Sequence, residues 1–499
     1  MAIQVTGTQV ISNARALTNI ASIDATTAAA ITAAGVGGGG EIDFVASGTL
    51  SNGATVGVNQ DGTISVTTPL VGEATAYVGS DTLSAVDVTV VYDATSGKLV
   101  ASWQSDNYQG KASLGTISGS TITWGSNVTF HSQNGQSYCI ANAGAGKVAI
   151  FWRHNNAAGN IYAIVGTISG TSLTFGTATS LGPIANAFRP TYDTSTGKVV
   201  IFYRDDSTGY AVIRVCTISG TSISAGSQYS VGSYYGNPES FVYCPSINKF
   251  VGCLRDYNTN PSGTYAFVAT ISGTSASYGT VLNLGVNKTY MSLDWDSNNS
   301  KILLAYADTA AGNTGKITVG TVSGTSISFG TAVAFATTGV ANFVSYNPTA
   351  GKFVLTYSTV ANASGTTFAI PVTVSGSTAS AGGSTAIVGT GSDRTCAAYD
   401  APTGYTSIVL NTINNGKGSS NRYNPTSTLT SFVGITAAAI ANGATGPVTI
   451  IGGTNESLTG LIVGGTYGVP SSTGVLTATT ENKIGVALSA TKLLINGSI

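Results

Sequence analysis

Three arginines occupy one position of a recurring pattern. Arg153, Arg204 and Arg255 each stand six residues after a lysine, Lys147, Lys198 and Lys249, at the end of an apolar run. A guanidinium fork holds a carboxylate or phosphate through two hydrogen bonds, so three on one rim would recognise an anionic glycan or lipopolysaccharide group. Asp205, Asp206 and Asp256 follow immediately, and local ion pairing, common and weak at surfaces, is the competing reading. The matching positions in other copies are Gln104, Ala307, Ser358 and Asn411. The segments beyond these strands, residues 106–110, 154–158, 256–262 and 411–417, are rich in Asn, Asp and Tyr. Tyr108 and Tyr257 offer stacking faces for a sugar and the polar side chains suit its hydroxyls, although the same types form ordinary turns.

Other chemistry is sparse. His131 and His154 are the only histidines; neither has metal-ligand spacing or a neighbouring nucleophile motif, and both read as polar strand-end residues. Neither a phosphate-binding loop nor a Gly-x-Ser-x-Gly elbow stands out from the serine-rich background. Asp61-Gly62-Thr63 matches one piece of the sialidase Asp-box but does not recur copy by copy. A glycan-cleaving propeller enzyme would need converging carboxylates, one with a raised pKa. Glu239 and Glu456 lie in unrelated segments and most aspartates sit in turns. The expectation is a binding or structural protein, not an enzyme, with no catalytic residue, metal or cofactor.

The elements that present the arginines belong to a repeat. An aromatic residue, usually followed by Asp or Asn, leads through a turn into Gly-Lys and an apolar run, as in Tyr92-Asp93 to Lys98, Tyr192-Asp193 to Lys198 and Tyr346-Asn347 to Lys352. Lys98, Lys147, Lys198, Lys249, Lys301, Lys352 and the equivalent Tyr405 advance by 49, 51, 51, 52, 51 and 53 residues. Between them a second signature, Thr-Ile/Val-Ser-Gly-Thr/Ser, begins at Thr116, Thr167, Thr217, Thr270, Thr321 and Thr373. A period near fifty marks supersecondary units that cannot bury their apolar faces alone.

Within residues 190–231, β-branched runs separated by Gly turns predict four antiparallel strands. The second strand, Val199-Val200-Ile201-Phe202-Tyr203, is apolar on both parities and must be covered on both faces. Sheets standing radially and packing on neighbours to either side meet that demand, which predicts an all-β, seven-bladed β-propeller of four-stranded blades. Six copies of the second signature against seven of the first imply that an N-terminal strand, from about 41–68, completes the last blade and removes an exposed edge. The predicted domains are 1–40, a small N-terminal attachment segment; 41–430, the propeller; and 431–499, a C-terminal small β domain.

Only 8% of residues are charged and the net charge is −1, so no global field attracts nucleic acid or an anionic membrane. The apolar window 432–451 is interrupted by Asn442, Gly443, Gly446 and Pro447, short of an unbroken span of ~20 residues. No membrane insertion is expected. Cys139, Cys216, Cys244, Cys253 and Cys396 are odd in number without paired spacing and read as buried free thiols. The opening has no basic segment followed by an apolar core, so a secretory signal is not expected. In the first forty residues, 3–11 reads as a small hairpin and 24–34 as a short helix with Asp24 near its N-cap.

Three stretches resemble tailed-bacteriophage appendage proteins, especially tail-fibre or spike components of marine phages. They are the opening Ile3-Gln-Val-Thr-Gly-Thr-Gln-Val-Ile-Ser with Arg15-Ala-Leu-Thr-Asn-Ile-Ala-Ser-Ile-Asp24, the recurring type of 166–177 (Gly-Thr-Ile-Ser-Gly-Thr-Ser-Leu-Thr-Phe-Gly-Thr), and the ending Lys483-Ile-Gly-Val-Ala-Leu-Ser-Ala-Thr-Lys-Leu-Leu-Ile495. The resemblance implies a virion surface protein assembled in the host cytoplasm, a homo-oligomer and commonly a trimer. It would be fixed to other virion proteins by its N-terminal segment, its body serving as rigid spacer or host-surface glycan or receptor binder. A capsid-attached decoration or head fibre would use the same parts with another docking surface.

Overall fold

The computed structural model describes residues 3–5, 8–11, 40–59, 62–67, 71, 75–76, 88–105, 108–132, 134–155, 159–182, 185–258, 262–360, 365–388, 392, 394–412, 417–425, 432–470, 475–479 and 482–497. The chain divides into two compact units, one of residues 71–425 and one combining 1–70 with 426–499. The expected helix at 24–34 lies outside the described residues. Ile3–Val5 and Thr8–Ile11 pair as the expected hairpin.

In residues 71–425 each repeat forms an antiparallel sheet. Gly135–Gly144 is the first strand, Lys147–His154 the second and Ile161–Ser169 the third. The expected fourth strand is two short ones: Ser172–Phe175 pairs with one half of the third strand and Thr179–Gly182 with the other. The sheets that begin with Thr89–Asp93, Lys288–Asp296 and Val340–Asn347 follow this plan. Two middle repeats instead share one continuous strand, Ser222–Cys244, which ends one sheet and opens the next. In the last repeat, Thr395–Tyr399, Thr406–Thr412 and Lys417–Tyr423 are joined by Thr75–Ala76.

The last pairing corrects the expected role of 41–68. Glu41–Val45 pairs along its whole length with Thr445–Thr449, and Thr55–Val58 pairs with Phe432–Thr436 and Ile64–Val66. Val56 and Ile64 thereby pack with Leu50, Ile440 and Val448 in a separate core, burying apolar surface that a lone segment would leave in water. The C-terminal region is thus not a domain by itself but shares its first sheet with 41–66. Its second sheet, which includes Lys483–Ala487 and Leu493–Ile495, covers Leu461, Tyr467, Val469 and Ile484.

The doubly apolar second strands are explained by their neighbours. Val148, Ile150 and Trp152 pack with Val100 and Leu114 of the preceding sheet, whereas Ala149 and Phe151 pack with Val199 and Ile201 of the following one. Val200 and Phe202 face Phe250 and Leu254 in turn. Leu99 and Ala101 of the first sheet pack with Cys396 and Val409 of the last.

The two repeat signatures are one device. Lys98, Lys249 and Lys301 donate from Nζ to the threonine that opens the second signature, Thr116, Thr270 and Thr321, at 2.9, 2.8 and 2.9 Å. The preceding acid caps the turn: Asp193 accepts from the Ser195 and Thr196 amides, and Asp296 from those of Asn298 and Asn299. The glycine after the short fourth strand marks close sheet contact, since a Cβ on Gly279 would lie 2.0 Å from the Thr325 carbonyl oxygen.

Candidate functional site: an arginine rim around a central cavity

The first strand of every sheet in 71–425 is bonded to the first strand of the next. Asn142 donates to the Tyr92 carbonyl, the Cys139 thiol to Phe188, Arg189 Nε to Glu239, and the Leu293 amide to Ser240 Oγ. The series continues from the Val344 amide to Ser292 Oγ, from Thr395 Oγ1 to the Ala341 carbonyl, and from the Cys396 thiol to Val90 at 3.8 Å. These strands enclose a cavity of about 1000 Å³.

Bulges shape its wall. The ladder between first and second strands slips at Tyr138, Phe188, Glu239, Met291 and Asn342. In four of these bulges the residue just before is a non-glycine with φ of 52–58°: Ser137, Ala187, Tyr290 and Ala341. Such conformations need support from their surroundings and re-aim side chains beside functional sites.

The cavity carries Arg189, Arg255, Arg394, Glu239 and Asp294. Burial pushes the Glu239 carboxyl above its usual range, against the opposing pull of Arg255, Arg189 and Arg394. Arg255 Nε lies 3.3 Å from Glu239 Oε1. Burial also pushes Asp294 up to about 6 although its oxygens accept from the Tyr346 and Trp295 amides. Asp294 therefore cross-links neighbouring first strands, and both its oxygens are engaged.

The three sequence-predicted arginines come to one face of adjacent sheets. Their side chains keep 28%, 21% and 26% of their surface exposed for Arg153, Arg204 and Arg255. Asp206 joins two of them, 3.4 Å from Arg153 Nη1 and 2.6 Å from Arg204 Nε. Arg204 Nη1 then donates to Asn237 Oδ1 at 2.7 Å, Asn237 Nδ2 to the Tyr257 hydroxyl, and Arg255 Nη2 to the same hydroxyl at 2.6 Å. The chain runs on through Glu239, so the rim is continuous with the cavity wall.

Local pairing is thus real, but it is shared between sheets. Asp205 and Asp256 do not join it: they accept from the Ser207 and Asn258 amides as turn caps. Tyr257 is half given over to Arg255, whose guanidinium carbon lies 4.9 Å from its ring centre. Tyr108 lies one sheet before Arg153, with φ 56° and an exposed ring, its carbonyl accepting from Gly135. Residues 106–107, 156–158, 259–261 and 413–416 of the flanking segments, and Asp61, lie outside the described residues. The two histidines meet, their ring centres 5.2 Å apart beside Trp152. All five cysteines are free thiols.

Sequence reading missed Asn237, Arg189, Arg394 and Asn342, and set Glu239 aside as isolated. The available signal is positional: at the bulge, Tyr138, Phe188 and Met291 are apolar and buried, whereas Glu239 and Asn342 break that pattern.

No family model matches the chain, and no curated protein matches it. Solved structures do. The BP39L lectin from Burkholderia pseudomallei is similar at 10% identity and TM-score 0.53, over 69% of this chain and 97% of its own. The hydrazine synthase of Kuenenia stuttgartiensis matches at 10% identity and TM-score 0.49 (68% and 96% covered), and the Cps50 (Swd1) β-propeller domain of Myceliophteria thermophila at 10% and 0.42 (67% and 96%). The chain is an all-β repeat protein whose structural neighbours are β-propellers. At such identities the likeness concerns fold, and function must come from the site.

Proposed function

We propose that residues 71–425 form a seven-bladed β-propeller, its last blade completed by Thr75–Ala76, and that this propeller binds an anionic glycan on a host surface. Supporting the blade count are seven successive sheet-forming repeats and the run of bonds between first strands that returns from Cys396 to Val90. The observation that carries the binding reading is the rim, where, among the described residues, the salt bridges of Arg153, Arg204 and Arg255 go to Asp206 and Glu239. Three guanidinium groups there share two described carboxylates, and each fork keeps donors that an added carboxylate or phosphate could take.

Binding without cleavage fits the cavity acids, because Asp294 is held by two amides and Glu239 by Arg255. A glycan-cleaving role remains the second reading, because two carboxyls raised by burial line one cavity. Cleavage of a surface polysaccharide that disappears in Glu239→Gln would establish it in place of simple binding.

The resemblance in Ile3–Asp24, 166–177 and Lys483–Ile495 supports assignment to a phage appendage, exposed on the virion and attached through the N-terminal segment. Immunolabelled virions should show the protein on the tail; label on the shell would make it a capsid decoration instead. The rim itself is tested by replacing Arg153, Arg204 and Arg255 together with alanine. Adsorption to host surface glycan should fall at least tenfold with the circular dichroism spectrum unchanged, and undiminished adsorption would remove the site.

A further inference from the structure

Asn342 is the least expected residue of the cavity wall. It occupies the bulge position that holds buried Tyr138, Phe188 and Met291 in other repeats, and only 9% of its surface is exposed. Among the described residues, neither its Oδ1 nor its Nδ2 has a hydrogen-bond partner. An unpaired buried amide destabilises the fold, so an apolar residue would serve stability better. Thr289 Oγ1, which also lines the cavity, is likewise buried and unpaired. Both residues line the cavity with these atoms turned out of solvent reach, so an occupant would meet them after a side-chain rotation.

The charges beside them define that occupant. Arg189, Arg255 and Arg394 line the cavity with two acids, Glu239 and Asp294; Arg255 Nε lies 3.3 Å from Glu239 Oε1 and Arg189 Nε donates to the Glu239 carbonyl. Such a cluster in a partly enclosed space has room for a further anion. Arg189 spends Nε and Nη1 on the Glu239 and Phe188 carbonyls, which fixes its plane. At the mouth, Tyr290 is 40% exposed and Arg255 reaches the rim, so the cavity is open to solvent. Its volume of about 1000 Å³ is at the upper end of ordinary small-molecule sites.

We infer that this cavity binds an acidic sugar residue, with its carboxylate on the Arg189, Arg255 and Arg394 side and its hydroxyls on Asn342, Thr289 and Glu239. An amide suits vicinal hydroxyls because it donates and accepts at once, and a carboxylate such as Glu239 accepts from them. The inference deepens the glycan-binding reading and rests on it: the rim would take the outer part of an anionic chain and the cavity its terminal uronate.

The test uses the full chain and calorimetric titration with D-galacturonate, D-galactose and inorganic phosphate. Galacturonate should bind at one per chain, with galactose and phosphate each at least tenfold weaker. Asn342→Met restores the repeat's own apolar residue and should fold with an unfolding midpoint at or above the native one, yet bind galacturonate at least tenfold more weakly. Absence of galacturonate binding, equal binding of phosphate, or an unaffected Asn342→Met variant would each overturn the inference. Arg153→Ala with Arg204→Ala, outside the cavity wall, separates the two readings. Loss of polysaccharide adsorption with galacturonate binding retained supports the cavity independently, whereas adsorption without galacturonate binding leaves the rim standing and removes the cavity site.

Discussion

Asp294 should make the repeat unit less stable as pH rises, the reverse of the usual carboxylate contribution. An ordinary aspartate starts from 3.8, and burial holds this one at about 6. Its folded value is raised, so the native state binds the proton more tightly than the unfolded chain does. The contribution is present in full below the unfolded value and is lost as pH rises through the folded one. The difference between the two values corresponds to about 3 kcal/mol, of which about 2–3 kcal/mol is traversed between pH 4 and pH 7.5. Asp294→Asn removes the titration while keeping size and one acceptor, at the cost of turning an amide donor toward a backbone N–H. The mutant's stability relative to the native protein should therefore improve by about 2–3 kcal/mol from pH 4 to pH 7.5. All four tryptophans, Trp103, Trp124, Trp152 and Trp295, lie in residues 71–425, so urea unfolding followed by tryptophan fluorescence reads this unit. A stability difference that stays constant with pH, or moves the other way, would refute the reasoning, because Glu239, also raised, is common to both proteins.

Sheet contact is tested by Gly279→Ala and Gly330→Ala, whose new Cβ atoms would meet the carbonyl oxygens of Thr325 and Ser377 at 2.0 and 2.5 Å. Each should cost about 1–3 kcal/mol, whereas Gly383→Ala, with nothing within 4 Å, should change urea stability by less than about 0.5 kcal/mol. Arg422 is fully buried, pairs with Asp400 in the last sheet and reaches the Gly119 carbonyl in the first. Asp400→Ala should cost about 3–5 kcal/mol by leaving that guanidinium uncompensated, measured by the same unfolding assay. Burial pushes the thiols of Cys216 and Cys396 up to about 12, and those of Cys244 and Cys253 upward as well. A thiol-reactive chromophore at pH 8 should leave these four untouched in native protein and titrate all five cysteines after unfolding.

Much of the repeat was legible because its causes are local or periodic. A strand such as Val199–Tyr203, apolar on both parities, announces cover on both faces, and the structure assigns one parity to each neighbouring sheet. The Asp and Gly-Lys turns repeat because each acid caps amides two and three residues on. The destination of 41–68 was not legible: alternation identifies a half-buried strand but not a partner some 400 residues away, and Thr445–Thr449 supplied it. The rim was half visible. Asp206 is two residues from Arg204, but its second bond, to Arg153, exists only once adjacent sheets pack. Arg189, Glu239, Asn342 and Arg394 are scattered over more than two hundred residues, and their meeting depends on bulges that shift register without altering hydrophobic period.

The claim that residues 71–425 read negative charge on a saccharide is tested most directly with one polysaccharide in two forms. Host surface polysaccharide containing uronic acids, and the same material with its carboxyl groups chemically reduced to neutral sugars, should be immobilised and titrated with the full chain at fixed salt. The account predicts saturable binding to the acidic form and at least tenfold weaker binding to the reduced form. Equal affinity for the two, or no affinity for either, would contradict it.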